Sequence, residues 1–190
     1  MKQNLIFKYF IEICKLPFVK DAKQELRDYV KNKLSSYEYE INEDKSGNLY
    51  VLKANQLNKV KICLQTSLHI IDTKWIHSPT FNSINFIKEN NWIKIKQKGI
   101  LIANIIRIAL ILAILADQTF PNYPIKVIFC NDAHSLVYKE WIKDVSLFIL
   151  NDNDHRLVVS KDANDESIEI NSILDTYHLL KQVISDNYNN

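Results

Sequence analysis

The sequence ILIANIIRIALILAILA, residues Ile100–Ala116, is the longest apolar run in the chain, and only Asn104 and Arg107 interrupt it. Its length approaches that of a membrane-spanning helix, but an arginine near the middle of a bilayer is costly. We therefore expect a helix inside the core of a globular domain. The two polar residues are expected either at an exposed start of this helix or beside a polar partner inside the protein.

Segments with strand patterns lie on both sides of this run, and amphipathic helices lie towards the ends of the chain. The predicted helices are Gln3–Leu16, Asp21–Leu34, a short segment at Lys139–Lys143 and a closing helix at Ser167–Asp186. The predicted strands are Tyr37–Ile41, Asn48–Lys53, Val60–Leu64, Phe81–Ile87, Trp92–Lys96, Ile125–Cys130, Val145–Leu150 and Arg156–Ser160. Strands separated by long helices predict an α/β domain built in layers.

The composition fits one globular domain that covers residues 1–190. A chain of 190 residues with 47% hydrophobic content can bury one sizeable core. Its 24 Lys and Arg residues and 22 Asp and Glu residues are interspersed along the chain and leave a net charge of +2. A nucleic-acid-binding surface needs basic residues concentrated on one face, so we expect no nucleic-acid partner.

The cysteines and the first residues of the chain predict a cytoplasmic protein that does not bind a membrane. The chain has three cysteines, Cys14, Cys63 and Cys130. An odd number without CxxC spacing is typical of reduced thiols in a cytosol-like compartment. The apolar N-terminal segment is interrupted by charged residues at helical spacing, and no small-residue cleavage site follows it. This pattern predicts an amphipathic helix rather than a secretion signal.

The scarcity of glycine excludes one class of function. Gly47 and Gly99 are the only glycines in the chain. Loops that bind nucleotide phosphates need glycine so that the backbone can approach the phosphate closely. We therefore expect no nucleotide-binding fingerprint, and we predict no cofactor.

Five segments, in their order along the chain, resemble a known family. They are IFKYFIEICKLP (6–17), DKSGNLYVLK (44–53), NWIKIK (91–96), ALILAILAD (109–117) and DESIEINSILDTYHLLK (165–181). Each is similar to a segment of the aminoacyl-histidine dipeptidases, the PepD-type branch of the two-zinc metallopeptidases. The resemblance implies the fold of the catalytic domain of these enzymes, a three-layer α/β domain with a central mixed sheet flanked by helices.

The resemblance also locates the positions where the family holds its first metal ligands. The family motif Q-G-H-L-D corresponds here to residues 65–69, so Ser67 replaces the ligand His and His69 replaces the Asp that orients it. The motif G-A-D-N-G corresponds to residues 101–105, where Ala103 replaces the bridging Asp. Alanine has no donor atom, so this position implies that the bridging ligand is lost.

The remaining ligand positions imply the same loss. The family motif D-E-E corresponds to residues 132–134, where Ala133 replaces the general base and His134 replaces a ligand. No His occurs in residues 160–164, where the family has its last ligand, and only Asp152 is retained as a possible ligand. One carboxylate cannot hold two zinc ions. We therefore predict a chain with no metal and no peptidase activity.

The family also carries a lid domain inserted within its catalytic domain, and the resemblance implies that this insertion is absent here, near residues 150–160. In the family the lid supplies substrate contacts and usually the dimer contact. The resemblance therefore implies a catalytically inactive, peptidase-like domain that serves as a binding, structural or interaction protein. Its expected partner is another protein or a second copy of the chain, because removal of a lid exposes surface that it formerly covered.

Other interpretations stay open. His69 and His134, with Asp132 or Asp152, could form a rebuilt mononuclear metal site of a small hydrolase. Cys130 with His134, or Ser67 with His69, are weaker pairings of a nucleophile with a base. The tryptophans are expected to pack in hairpins and loops rather than to form a ligand cage; they are Trp75, Trp92 and Trp141. A third possibility is a decaying gene product that has no selected role.

Overall fold

The computed structural model describes residues 3–18, 22–53, 60–72, 82–119, 123–131, 145–150, 157–161 and 166–189. Within these ranges the helices are α1 (Gln3–Cys14), α2 (Ala22–Leu34), α3 (Ile102–Ala116) and α4 (Ile170–Asn189). The strands are β1 (Glu40–Glu43), β2 (Leu49–Lys53), β3 (Ile62–Ser67), β4 (Phe86–Glu89), β5 (Trp92–Ile95), β6 (Ile125–Cys130), β7 (Ser146–Ile149), β8 (Val159–Lys161) and β9 (Glu166–Glu169). The predicted segment at Lys139–Lys143 and Asp21, the predicted first residue of the second helix, lie outside the described residues.

A five-stranded mixed sheet forms the centre of the domain. Its strand order is β1-β2-β6-β3-β7. Strand β2 runs antiparallel to both β1 and β6, whereas β3 runs parallel to both β6 and β7. Strands β2 and β6 are buried at every residue, as expected for the middle of a sheet covered on both faces. The predicted central mixed sheet is confirmed.

A second, antiparallel sheet of order β4-β5-β9-β8 was not predicted. Its strand β9 shows that the predicted start of the closing helix, at Ser167, is wrong. Ser167 pairs with Lys94 and Glu169 pairs with Trp92, so the helix begins only at Ile170. The backbone hydrogen bonds to β5 and the complete burial of Ile168 outweigh the local helical pattern.

Helix α3 is the core of the domain, as predicted. All of its residues are buried, and it packs against α1, α4, β3 and β9. Helix α1 buries Ile6, Tyr9, Phe10 and Ile13 at helical spacing, which confirms its amphipathic character. Within the described ranges, no helix is both long and apolar enough to cross a membrane.

The DKSGN turn between β1 and β2 joins the first hairpin to the end of β6. The carboxylate of Asp44 accepts hydrogen bonds from the backbone N–H groups of Ser46 and Asn48, both at 2.9 Å. The side-chain oxygen of Asn48 accepts the N–H of Asn131, the residue after β6, at 2.8 Å. Gly47 lies in the left-handed region, with φ at 79°. The motif therefore supports the fold in this chain.

Replacing Gly47 with alanine is expected to destabilise the protein by about 1–2 kcal/mol. The added Cβ would lie 2.6 Å from Nη1 of Arg27. That guanidinium is held by a 2.8 Å hydrogen bond to Asn131, so it does not move away freely. Gly99→Ala is the matched control, because Gly99 has the same φ of 79°. Urea denaturation should show a larger loss for Gly47→Ala, and an equal loss would contradict the steric account.

Candidate functional site

Three of the positions that the resemblance assigns to the metal site are described, and they lie near the end of β3, the end of β6 and the start of α3. The last residues of the parallel strands, Ser67 and Cys130, are paired in register. The backbone N–H of Leu68 donates to the carbonyl of Cys130 at 2.7 Å. The N–H of Leu101, just before α3, donates to the carbonyl of Ile70 at 2.8 Å. The fold therefore brings Ser67, His69 and Ala103 into one region of the domain.

Ser67 uses its hydroxyl within its own loop. Its Oγ accepts the backbone N–H of His69 at 3.0 Å, an arrangement typical of a serine turn. A catalytic Ser–His pair instead requires a hydrogen bond between the hydroxyl and the imidazole ring. In the described part of the chain Ser67 and His69 make only the backbone contact, so the geometry favours a structural role for this serine.

The imidazole of His69 has one notable feature. Its Nε2 atom is buried and has no hydrogen-bond partner among the described residues. A buried polar atom without a partner costs about 1–3 kcal/mol, so such atoms usually have an explanation in the native protein. This nitrogen is the one feature of the described site that favours a rebuilt metal site.

Asn104, the neighbour of Ala103, begins a polar network inside the apolar helix. The side-chain nitrogen of Asn104 donates a hydrogen bond to the carbonyl of His69 at 2.5 Å. The side-chain oxygen of Asn104 accepts a hydrogen bond from Nη1 of Arg107 at 2.6 Å. Asn104 is buried, and Arg107 is only 2% exposed. The expectation of a partner inside the protein is therefore confirmed, and the alternative of an exposed helix start is wrong.

The start of α3 is capped by a residue that the sequence did not predict. The backbone N–H of Ile102 donates to the carboxylate of Glu166, on β9, at 2.6 Å. A carboxylate at a helix N-terminus satisfies an otherwise unpaired N–H and interacts favourably with the helix dipole. The two residues are 64 positions apart, so helix-capping rules based on neighbouring residues cannot identify this contact.

Cys130 is not suited to act as a nucleophile. The residue is buried, and burial, together with the charge of Asp44, raises the pKa of its thiol to about 11. The reactive form of cysteine is the thiolate, which is scarce at neutral pH with such a pKa. Its suggested partner His134 lies outside the described residues.

Several predicted site residues lie outside the described ranges: Asp132, Ala133, His134, Asp152, Trp75 and Trp141. Trp92 lies in β5 of the second hairpin, as expected, and pairs with Glu89 and Glu169. Among the residues with described positions, no three His, Cys, Asp or Glu side chains form a group able to hold a metal ion. The described half of the site is thus Ser67, His69, Ala103, Asn104 and Arg107.

A second buried polar cluster surrounds Asp117, at the opposite end of α3. The carboxylate, 3% exposed, accepts hydrogen bonds from the Tyr177 hydroxyl at 3.0 Å and from Lys181 Nζ at 2.8 Å. It also accepts hydrogen bonds from the backbone N–H of Thr119 at 2.9 Å and from the Thr119 hydroxyl at 2.6 Å. Burial opposes ionisation, but these hydrogen bonds outweigh it and hold the pKa of Asp117 well below its usual value.

Three of the segments that carry the family resemblance meet at this cluster. Asp117 ends ALILAILAD, Tyr177 and Lys181 belong to the closing segment, and Lys53 ends the DKSGNLYVLK hairpin. Burial lowers the pKa of Lys53, and the charge of Asp117 partly offsets that effect. The segments that resemble the family therefore meet within the fold, whereas Ala103, where the resemblance implies a lost ligand, lies at the other end of α3.

The fold is that of the catalytic domains of dipeptidases and related aminopeptidases. The aminoacylhistidine dipeptidase of Vibrio alginolyticus is 20% identical, with a TM-score of 0.61 over 76% of this chain and 32% of that chain. The aminopeptidase PepT of Bacillus cereus is 12% identical, with a TM-score of 0.60, and the match covers 98% of this chain and 71% of that chain. The predicted fold class is thus confirmed.

A dipeptidase is also similar to this chain in sequence. The cytosol non-specific dipeptidase of Escherichia coli is 24% identical over 129 residues, which cover 65% of this chain. The chain spans about a quarter, 27%, of the length of that relative. No family model matches the chain. These findings confirm the predicted relation to PepD-type dipeptidases, at identities that establish a shared fold rather than a shared activity.

Proposed function

We propose that this chain is a catalytically inactive, peptidase-like domain that acts by binding another protein or a second copy of itself. The observation that carries the proposal is the network of Asn104 and Arg107 next to Ala103. These residues occupy the start of α3, where the resemblance places the bridging carboxylate of a two-zinc site. In this chain the same place holds a methyl group and a buried guanidinium.

The chemistry of a two-zinc site explains why this arrangement opposes catalysis. Two zinc ions about 3.5–4 Å apart need anionic or imidazole ligands and a general base for the bridging water. Ser67 and Ala103 provide neither at two of the positions. Arg107 follows Ala103 by four residues, so the two lie on the same face of α3. Its positive charge would repel zinc ions bound at that face.

Other features support the binding role without catalysis. The lid insertion is inferred to be absent near residues 150–160, and residues 1–190 are inferred to form one domain. The dipeptidase relative of Escherichia coli is described as a cytosol protein, which supports a cytoplasmic location. We further propose that neither a nucleic acid nor a membrane is the partner, because no basic surface is predicted from the sequence.

The alternative is a small hydrolase with a rebuilt mononuclear metal site. The observation that favours it is the buried Nε2 of His69, which lacks a partner among the described residues. A zinc ion bound there would satisfy this nitrogen, with His134 and Asp132 or Asp152 as further ligands. The two proposals differ in metal content and in activity.

The test is to measure zinc content and dipeptide hydrolysis on the same purified sample. The protein is purified without chelators, its zinc is measured by mass spectrometry, and a panel of dipeptides is offered with added zinc. We expect less than about 0.1 zinc per chain and no hydrolysis above the buffer, because too few ligands remain to hold a zinc ion. The Escherichia coli dipeptidase in the same assays is the positive control.

The opposite results have distinct meanings. One zinc per chain that is lost in the His69→Ala variant would support the rebuilt metal site. If the wild-type protein also hydrolyses dipeptides, the proposed inactivity would be contradicted. Two zinc ions per chain, or hydrolysis that a chelator abolishes, would refute the proposal outright. Ser67→Ala is the matched control, since its local hydrogen bond gives it no role in metal binding under either proposal.

A further inference from the structure

Strand β7, at one edge of the five-stranded sheet, differs from the other edge strands. Within the described ranges the two sheets end in β1, β7, β4 and β8. Three of these edge strands carry charged residues, in the sequences EINE, FIKE and VSK. Strand β7 has the sequence SLFI and no charge. Charged side chains on an edge strand discourage pairing with another chain, so β7 alone lacks this protection.

The outward side of β7 is also apolar. Leu147 is 37% exposed and Ile149 is 44% exposed, and together with Val158 they are the large hydrophobic residues most exposed in the described part of the chain. Because side chains alternate along a strand, Leu147 and Ile149 lie on the same face of the sheet. An exposed apolar pair on an uncharged edge is typical of a strand that binds another strand.

The backbone of β7 is arranged for such pairing. Ser146 N–H donates to Lys61, and Leu150 N–H donates to Gln65, both at 2.8 Å, so the even-numbered residues point towards β3. Backbone groups alternate in direction along a strand, so the N–H and C=O groups of Leu147 and Ile149 point to the open edge. Within the described residues, β7 pairs with β3 alone.

We propose that the domain forms a homodimer in which β7 pairs antiparallel with β7 of a second copy, which joins the two five-stranded sheets into one. The proposal rests on the proposed binding role and gives it a surface and a partner. A two-fold axis perpendicular to the sheet does not exchange the two faces of the sheet, so equivalent side chains of the two copies lie on the same face. It can therefore pass through Phe148 and place Leu147 opposite Ile149 of the other copy.

This register satisfies both the backbone and the side chains. Leu147 and Ile149 of opposite copies exchange N–H···O=C hydrogen bonds, whereas the two Phe148 residues form the non-hydrogen-bonded pair at the axis. The two Leu–Ile pairs lie side by side on one face, where cross-strand apolar pairs are favourable. No charges face each other across the axis, so the edge is complementary to itself. A strand of another protein would lack this symmetry.

The first experiment measures molar mass by size-exclusion chromatography with light scattering. The wild-type chain should have twice the mass of one copy, and Leu147→Lys combined with Ile149→Lys should halve the measured mass. Both residues are exposed, so the variant should fold normally, which circular dichroism would check. Val158→Lys is the matched control, because Val158 is equally exposed at 44% but lies outside β7. It should remain a dimer.

A second experiment tests the register. The double variant Leu147→Cys, Ile149→Cys should form a disulfide-linked dimer under mild oxidation, because opposite Cα atoms in a strand pair are about 5.5 Å apart. Either single variant should cross-link much less, since identical residues lie diagonally, about 7–8 Å apart. The native cysteines are buried and should not react.

A monomeric wild-type protein at every concentration tested, or a dimer unaffected by the two lysines, would overturn this dimer. A dimer that cross-links only through a different pair of β7 residues would overturn the register. These failures can be distinguished from failure of the proposed function, which is judged by zinc content and hydrolysis. A monomer without zinc or activity would refute the β7 dimer alone.

Discussion

Asp117→Ala is expected to lower the free energy of unfolding by about 3–5 kcal/mol, the range for removing one partner of a buried ion pair. The carboxylate accepts hydrogen bonds from Lys181, Tyr177 and Thr119, and its loss would leave the Lys181 cation without this acceptor in a mostly buried position. The contact joins the C-terminal end of α3 to α4. Urea denaturation followed by circular dichroism measures the change.

Thr119→Ala is the matched control for this variant. It removes the hydroxyl hydrogen bond to the same carboxylate but leaves the ion pair with Lys181 in place. The expected loss is about 1 kcal/mol, the usual net value of one hydrogen bond. If the two variants lose similar stability, the buried carboxylate does not hold α3 and α4 together as inferred.

The low pKa of Asp117 predicts a further difference that depends on pH. A carboxyl whose pKa is depressed in the folded state stabilises the fold above its unfolded pKa of about 3.9, and this contribution is lost as the pH falls. We therefore expect the stability difference between wild type and Asp117→Asn to be constant from pH 7 to about pH 5 and to shrink below it. A difference that grows as the pH falls would contradict the depressed pKa.

The sequence predicted well those elements whose pattern is local. The run Ile100–Ala116 predicted α3 because a segment of that length with only two polar residues must be buried on nearly all sides. Strand β6 was predicted with its observed bounds, Ile125–Cys130, because it is a short apolar run that follows a proline. The proximity of the end of β3 to the start of α3 was not predicted from local patterns, since residues so far apart in sequence have no pattern of their own.

Features that depend on distant residues could not be predicted. Strand β9 has a helical pattern locally, and only its pairing with β5, more than 70 residues earlier, makes it a strand. The carboxylate of Glu166 at the start of α3 and the ion pair of Asp117 with Lys181 likewise join distant segments. Such contacts are decided by packing, which a single sequence does not reveal.

Asn104→Ala is expected to destabilise the protein by about 2–4 kcal/mol, because it removes partners from the carbonyl of His69 and from the buried guanidinium of Arg107. Ser67→Ala, which removes one local hydrogen bond at the same site, is expected to cost less than about 1 kcal/mol. Urea denaturation of both variants beside the wild type provides the comparison.

The sign of the Asn104→Ala effect separates a structural network from a working site. Polar groups kept for catalysis are often held at a cost to stability, so replacing them commonly stabilises an enzyme. Polar groups kept for the fold satisfy one another, and removing one leaves buried groups without partners. A clear loss of stability would therefore mean that the start of α3 now serves the fold. A gain would indicate that the site still performs chemistry and would favour the rebuilt hydrolase around His69.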